Sequence, residues 1–139
     1  MKYMEITDQD RLLVQAAVEV VAKNYREERH TVGAAVICSS GKIYTGVNVE
    51  SCGYGPCAEP IAIGMAISHG ERNFLTVVAV GGWNTSYPVL PPCGNCRQLL
   101  WDYSPEAAVL LEKEGALIKV GIRDLLPMAY KNFFDNLLP

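Results

Sequence analysis

Two short segments, Pro56-Cys57-Ala58-Glu59 and Pro92-Cys93-Gly94-Asn95-Cys96, constrain this chain more than any other feature. Each ends a loop in proline and opens a run of helical character, and 36 positions separate Cys57 from Cys93. The first N–H groups of a helix lack intrahelical partners and carry the positive end of its dipole. A cysteine there ionises more readily, and thiolate is the form that binds zinc. Cys93 and Cys96, three apart, face the same way on one helical turn. They supply two corners of a tetrahedron and Cys57 a third. A fold that uses all three must bring two distant helix starts to one point.

The ligand count decides what such a metal would do. Structural zinc sites usually have four protein ligands, while catalytic sites leave one corner for water. Three cysteines are well placed, and Cys52, in a glycine-rich loop, is the one candidate for a fourth. Zinc in an open site lowers the pKa of bound water to about 7, which provides a nucleophile at neutral pH. Glu59, two residues beyond Cys57, is within reach of that water without binding the metal, and a carboxylate there can take and deliver its proton. Taken singly, each piece has a plainer meaning. A Cys-x-x-Cys also suits a redox pair or half of a structural zinc site, Cys57 a small buried residue, and Glu59 an electrostatic helix cap.

The chain of 139 residues fits a single domain, 1–139, and its 50% apolar content is enough for one packed core. Net charge is −3 with neutral histidines, and no basic stripe stands out. A nucleic-acid polymer or an anionic membrane is therefore a poor partner, and a small molecule a better one. No run approaches the roughly 20 apolar residues of a membrane span, and the polar start lacks the layout of a signal peptide. The expected location is cytoplasmic. Five cysteines, an odd number, argue against a disulfide framework.

Periodicity predicts a helix over 8–23, N-capped by Thr7 with Asp10 in the capping-box position. It predicts strands over 32–38 and 42–48 joined by a turn at Ser39-Ser40-Gly41, a loop over 51–56 and a helix over 58–70. A core strand over 74–80, a long loop over 81–92, a short helix over 95–103 and strands over 107–111 and 117–120 follow. The tail from Ile122 to Leu138 suggests short helical pieces broken at Pro127. The alternation of strands and helices makes this an α/β chain whose sheet is covered by helices.

At these residues the chain resembles the cytidine deaminase family of zinc-dependent nucleoside deaminases. Val32-Gly33-Ala34-Ala35 and Gly46-Val47-Asn48-Val49-Glu50 resemble its first two strands. Pro92-Cys93-Gly94-Asn95-Cys96-Arg97-Gln98 resembles its second metal motif, and Leu125-Leu126-Pro127 its C-terminal one. Gly55-Pro56-Cys57-Ala58-Glu59 and Gly121-Ile122-Arg123-Asp124-Leu125-Leu126-Pro127 with Tyr130 are similar to the blasticidin S deaminase branch. The resemblance implies a three-layer α-β-α fold with a mixed five-stranded sheet and helices on both faces. It implies one zinc ion per subunit and a homotetramer whose active sites are shared between subunits.

By the same resemblance, Glu59 is the proton shuttle for deamination of a cytosine-type nucleoside to the uracil form plus ammonia. Asn48 and Glu50 would bind sugar hydroxyls, although a solvated strand end explains them equally well. Backbone groups around Cys57, Ala58 and Cys93 would bind the base. Arg97 would donate to the ligand sulfurs and offset their charge. His30, where the nucleoside enzymes carry a phenylalanine, either stacks on a ring or is a solvated loop residue. Tyr130 either closes the pocket, from the same or a neighbouring subunit, or packs under the tail. The loop from Glu50 to Cys57 is two residues shorter than usual, and Pro60 replaces a common arginine. Blasticidin S or another aminated heterocycle is the alternative substrate, and a non-catalytic zinc-stabilised binding module the alternative class.

Overall fold

The computed structural model describes residues 1–131. A two-residue strand β1 (Tyr3–Met4) precedes helix α1 (Asp8–Asn24). The predicted capping box is formed: Thr7 Oγ1 accepts from the Asp10 N–H at 3.2 Å, and the Thr7 N–H donates to Asp10 Oδ2 at 2.9 Å. Asp10 is buried, and Lys119 Nζ offsets its charge at 3.1 Å. The hairpin of β2 (Val32–Cys38) and β3 (Ile43–Val47) leads into α2 (Ala58–Ser68). Then come β4 (Phe74–Gly81), β5 (Val89–Leu90), α3 (Gly94–Tyr103), β6 (Ala108–Lys113), β7 (Ala116–Gly121) and α4 (Ile122–Leu125).

The sheet order is β1-β7-β6-β4-β2-β3, with β5 paired to β4. Among the described residues only β4 and β6 run parallel, joined through α3, so the sheet is mixed as expected. Among the described residues it has seven strands and not five. The two additions are β1, which lengthens the edge at β7, and β5, which lies along β4 within the predicted 81–92 loop. Two residues are too few to show alternation, so neither left a periodic signal.

Helices cover both faces. Leu13, Ala17 and Val21 of α1 pack on Ala35, Ile37, Val78 and Val80. Ala58, Ala62, Ile63 and Ala66 of α2 and Leu100 of α3 pack on Ala34, Val36, Val77 and Ala79. Burial on both faces explains why β2 and β4 read as continuous apolar runs without alternation. Two glycines set the spacing. A Cβ at Gly33 would lie 2.3 Å from the Ala17 carbonyl oxygen, and one at Gly46 2.7 Å from the Ala62 nitrogen. Their absence lets α1 and α2 rest directly on the strands.

The tail forms α4 and leaves helical geometry before Pro127; the predicted pieces beyond 131 lie outside the described residues. Among the described residues, no helix is long and apolar enough to cross a membrane.

Candidate active site

Cys57 is the N-cap of α2 and Cys93 the N-cap of α3, each with extended backbone after a proline. Because both helices pack on the same sheet face, their starts meet. The Cys57 and Cys93 sulfurs are 3.6 Å apart, those of Cys93 and Cys96 3.4 Å, and all three lie within 4.8 Å of one another. Zn–S bonds of about 2.3 Å in a tetrahedron place sulfurs ~3.8 Å apart, so the cluster fits that ion with small adjustment. Cys52 is exposed in its loop and lies outside the cluster, so the expected alternative of a fourth ligand there is not formed.

The protein's own charges oppose one another here. Burial, then the neighbouring Cys93 thiol, pushes Cys57 up. Burial and then the Glu59 carboxylate push Cys96 well above the ordinary thiol range. Burial also works against Cys93, but hydrogen bonds from the Cys96 backbone and side chain, the Cys57 side chain and the Asn95 backbone together pull it down. Those backbone donors belong to the open first turn of α3, as expected for a helix start. Glu59 is 6% exposed, and burial raises its carboxyl above the usual range. A dication among three sulfurs reverses this balance by attracting every one of these anions. Pro60 fits the first turn of α2, where backbone N–H groups have no helical acceptor.

A cleft of about 260 Å³ opens at the sulfurs, lined by Cys57, Ala58, Glu59 and Cys93 at its metal end and by Asn48 and Glu50 at the other. Asn48 is buried and held from both ends of its amide. Its Oδ1 accepts from the Thr31 and Val32 N–H groups at 2.8 and 2.9 Å, and its Nδ2 donates to Glu50 Oε1 at 3.1 Å. That network turns the Glu50 carboxylate toward the cleft. The short 51–56 loop folds back through a Val49 N–H bond to the Pro56 carbonyl at 3.1 Å. Gly55 then sits against Glu50, where a Cβ would lie 2.9 Å from Oε2.

Three expected contacts are placed differently. The Arg97 guanidinium donates to the carbonyls of Pro92 at 2.8 Å and Leu125 at 2.9 Å, and forms no bond to a sulfur among the described residues. It ties the loop before Cys93 to the C-terminal segment, because those carbonyls face its first-turn position. His30 is half-buried, donates from Nδ1 to the Asn48 carbonyl at 2.8 Å, and does not line the cleft. Tyr130 is 73% exposed and also stands outside the cleft of its own chain. The sequence reading missed Thr31, Val32, Ala79, Leu90 and Pro91, which form the floor and one wall. Leu90-Pro91, directly before Pro92-Cys93, was the one available signal.

The model of the cytidine and deoxycytidylate deaminase zinc-binding region matches residues 7–112. The chain belongs to that family. It is 40% identical over 137 residues to the blasticidin-S deaminase of Bacillus cereus, covering 94% of this chain and 98% of that one. A cytidine deaminase of Halalkalibacterium halodurans is 33% identical over 125 residues, covering 86% and 92%. The crystal structure of cytidine deaminase from Mycobacterium leprae superposes with a TM-score of 0.75 at 32% identity, over 88% of this chain and 100% of that one. The family is one of zinc hydrolases acting on C–N bonds, and Cys57, Cys93 and Cys96 form the cluster that could hold its metal.

Proposed function

We propose that this protein hydrolyses the exocyclic amine of a free cytosine-type nucleoside, cytidine or deoxycytidine, releasing ammonia and the uracil form. The observation that carries the reading is one cleft with three clustered sulfurs and a buried carboxylate at one end and a carboxylate–amide pair at the other. Bound zinc supplies a nucleophilic water at neutral pH. Glu59 takes the proton released as the water oxygen bonds to C4. It passes that proton to the ring nitrogen, then carries the proton of the new C4 hydroxyl to the amine, which leaves as ammonia when the C–N bond breaks and the C4 carbonyl forms. Its burial beside the sulfurs, at the metal end of the cleft, suits a group that must both accept and return a proton. Backbone at Ala58 orients the base, and Asn48 with Glu50 takes the sugar hydroxyls. Among the described residues no Lys or Arg lines the cleft, which favours a neutral nucleoside over a nucleotide.

A second reading is deamination of blasticidin S. It is supported by the 40% identity to a blasticidin-S deaminase and by the glycine loop folded against Glu50. Our reading of the assembly is a homotetramer with sites shared between subunits, which accounts for the exposure of Tyr130 on a single chain. Five free cysteines suit a reducing compartment, the cytoplasm. Ultraviolet and ammonia-release assays over cytidine, deoxycytidine, cytidine 5′-monophosphate and blasticidin S test the substrate. Turnover of the free nucleosides is the expected result. Activity on blasticidin S with none on the nucleosides selects the second reading, and activity on none of the four rejects both.

A further inference from the structure

We infer that Trp83 is a substrate-specificity residue, whose indole extends the cleft floor beyond Ala79 and favours substrates that project an uncharged or cationic group there. The inference rests on the deaminase reading of the cleft and adds the end of the substrate remote from Glu59.

The register of the sheet carries it. Ala79 and Gly81 are two apart on β4 and therefore share a face, and Ala79 lines the cleft. Gly81 pairs with Val32, another residue of the cleft floor. A Cβ on Gly81 would lie 2.7 Å from Cη2 and from Cζ2 of Trp83, so the six-membered ring rests directly on the glycine. Two residues of strand span about 7 Å, which puts the ring where the floor at Ala79 ends.

The turn that presents the ring is built, not loose. The Gly82 N–H donates to the Thr31 carbonyl at 2.7 Å and the Gly81 N–H to that of Pro88 at 2.9 Å. Asn84 accepts from the Tyr87 N–H at its carbonyl and from the Ser86 N–H at Oδ1, both at 2.9 Å. Even so, Trp83 remains 56% exposed, with its outer face available to a ligand. An indole face carries negative charge density; it stacks on planar groups and attracts cations. The carboxylates of Glu50 and Glu59 share this cleft, and among the described residues no lysine or arginine lines it, so the lining repels a phosphate. At about 260 Å³ the cleft lies below the ~300–1,000 Å³ of most small-molecule sites, so a larger substrate extends past its edge toward the ring.

The test compares the zinc-loaded parent with Trp83→Ala and Gly81→Ala, the second displacing the ring without altering it. Each should raise KM for cytidine about tenfold, with kcat within about twofold, as for a contact kept from ground to transition state. The double variant should raise KM no further than Trp83→Ala, because both remove one contact. In the Glu59→Gln background, cytidine should change the tryptophan fluorescence of the parent, and Trp83→Phe should abolish that change. In the parent, kcat/KM for 5′-amino-5′-deoxycytidine should exceed that for cytidine 5′-monophosphate, and Trp83→Ala should narrow the gap. If Trp83→Ala turns over cytidine with an unchanged KM, Trp83 has no such role and the deaminase reading stands. Altered subunit assembly in Trp83→Ala with no fluorescence response to nucleoside makes the ring an interface residue and overturns the inference. A parent inactive on cytidine, deoxycytidine and blasticidin S alike removes both.

Discussion

Glu59 shows how one residue's surroundings select its chemistry. An uncompensated buried carboxylate is costly, and at 6% exposure this one is raised by burial beside three cysteines. Glu59→Gln keeps the shape and removes the carboxylate we propose as proton shuttle, so zinc content should stay near one per chain while kcat falls about 10³-fold. Metal analysis beside steady-state kinetics checks this, and normal turnover would end the assignment. Cys38 is buried away from the cleft. Burial, then the Glu71 carboxylate, pushes its thiol up from 9.0 to about 11. The unfolded chain therefore gives up this proton first. The stabilisation is complete below about pH 9 and is lost as pH rises through about 11. Urea melts should show a smaller alkaline loss in Cys38→Ala than in the parent, by up to about 3 kcal/mol.

Helix α2 carries two of the chemical groups at its first turn, so its seat on the sheet sets the geometry of the site. Gly46 defines that seat, with the Ala62 nitrogen 2.7 Å from where a Cβ would be. Gly46→Ala must lift the helix or bend β3. A cost of about 1–3 kcal/mol is expected, together with reduced zinc occupancy as Cys57 moves away from Cys93. Denaturant melts and metal analysis measure the two effects, and a stable, fully loaded variant would show that the helix is not so confined. The main elements were readable from sequence because their signals are local. Thr7 and Asp10 mark the start of α1, Ser39-Ser40-Gly41 marks the hairpin turn, and Pro56 and Pro92 mark the starts of α2 and α3. Strand β5 had no such signal, because its two residues are held by pairing with Ala79 and Val80 and not by any pattern of their own.

Across the whole molecule, three layers bring together groups from both halves of the chain. The metal cluster joins α2 to α3, and Arg97 joins the segment before α3 to the Leu125 carbonyl. Metal free energy should then appear as folding stability. Removing zinc with a chelator should lower Tm by about 10 °C or more, and Cys93→Ala should match the stripped parent. Calorimetry with metal analysis reads this directly. An unchanged Tm after complete removal would mean that the ion does not bridge the two helices.

The order of helices and strands, the capping of α1, and the placing of Cys57, Cys93 and Cys96 at helix starts followed from sequence, because propensity, turn chemistry and capping act over a few neighbouring residues. The partners of Arg97, the removal of His30 and Tyr130 from the cleft lining, and the floor of Val32, Ala79 and Leu90 were decided only by the tertiary structure. Each depends on strand register or on a carbonyl far along the chain, and no local pattern encodes which distant backbone group comes within reach.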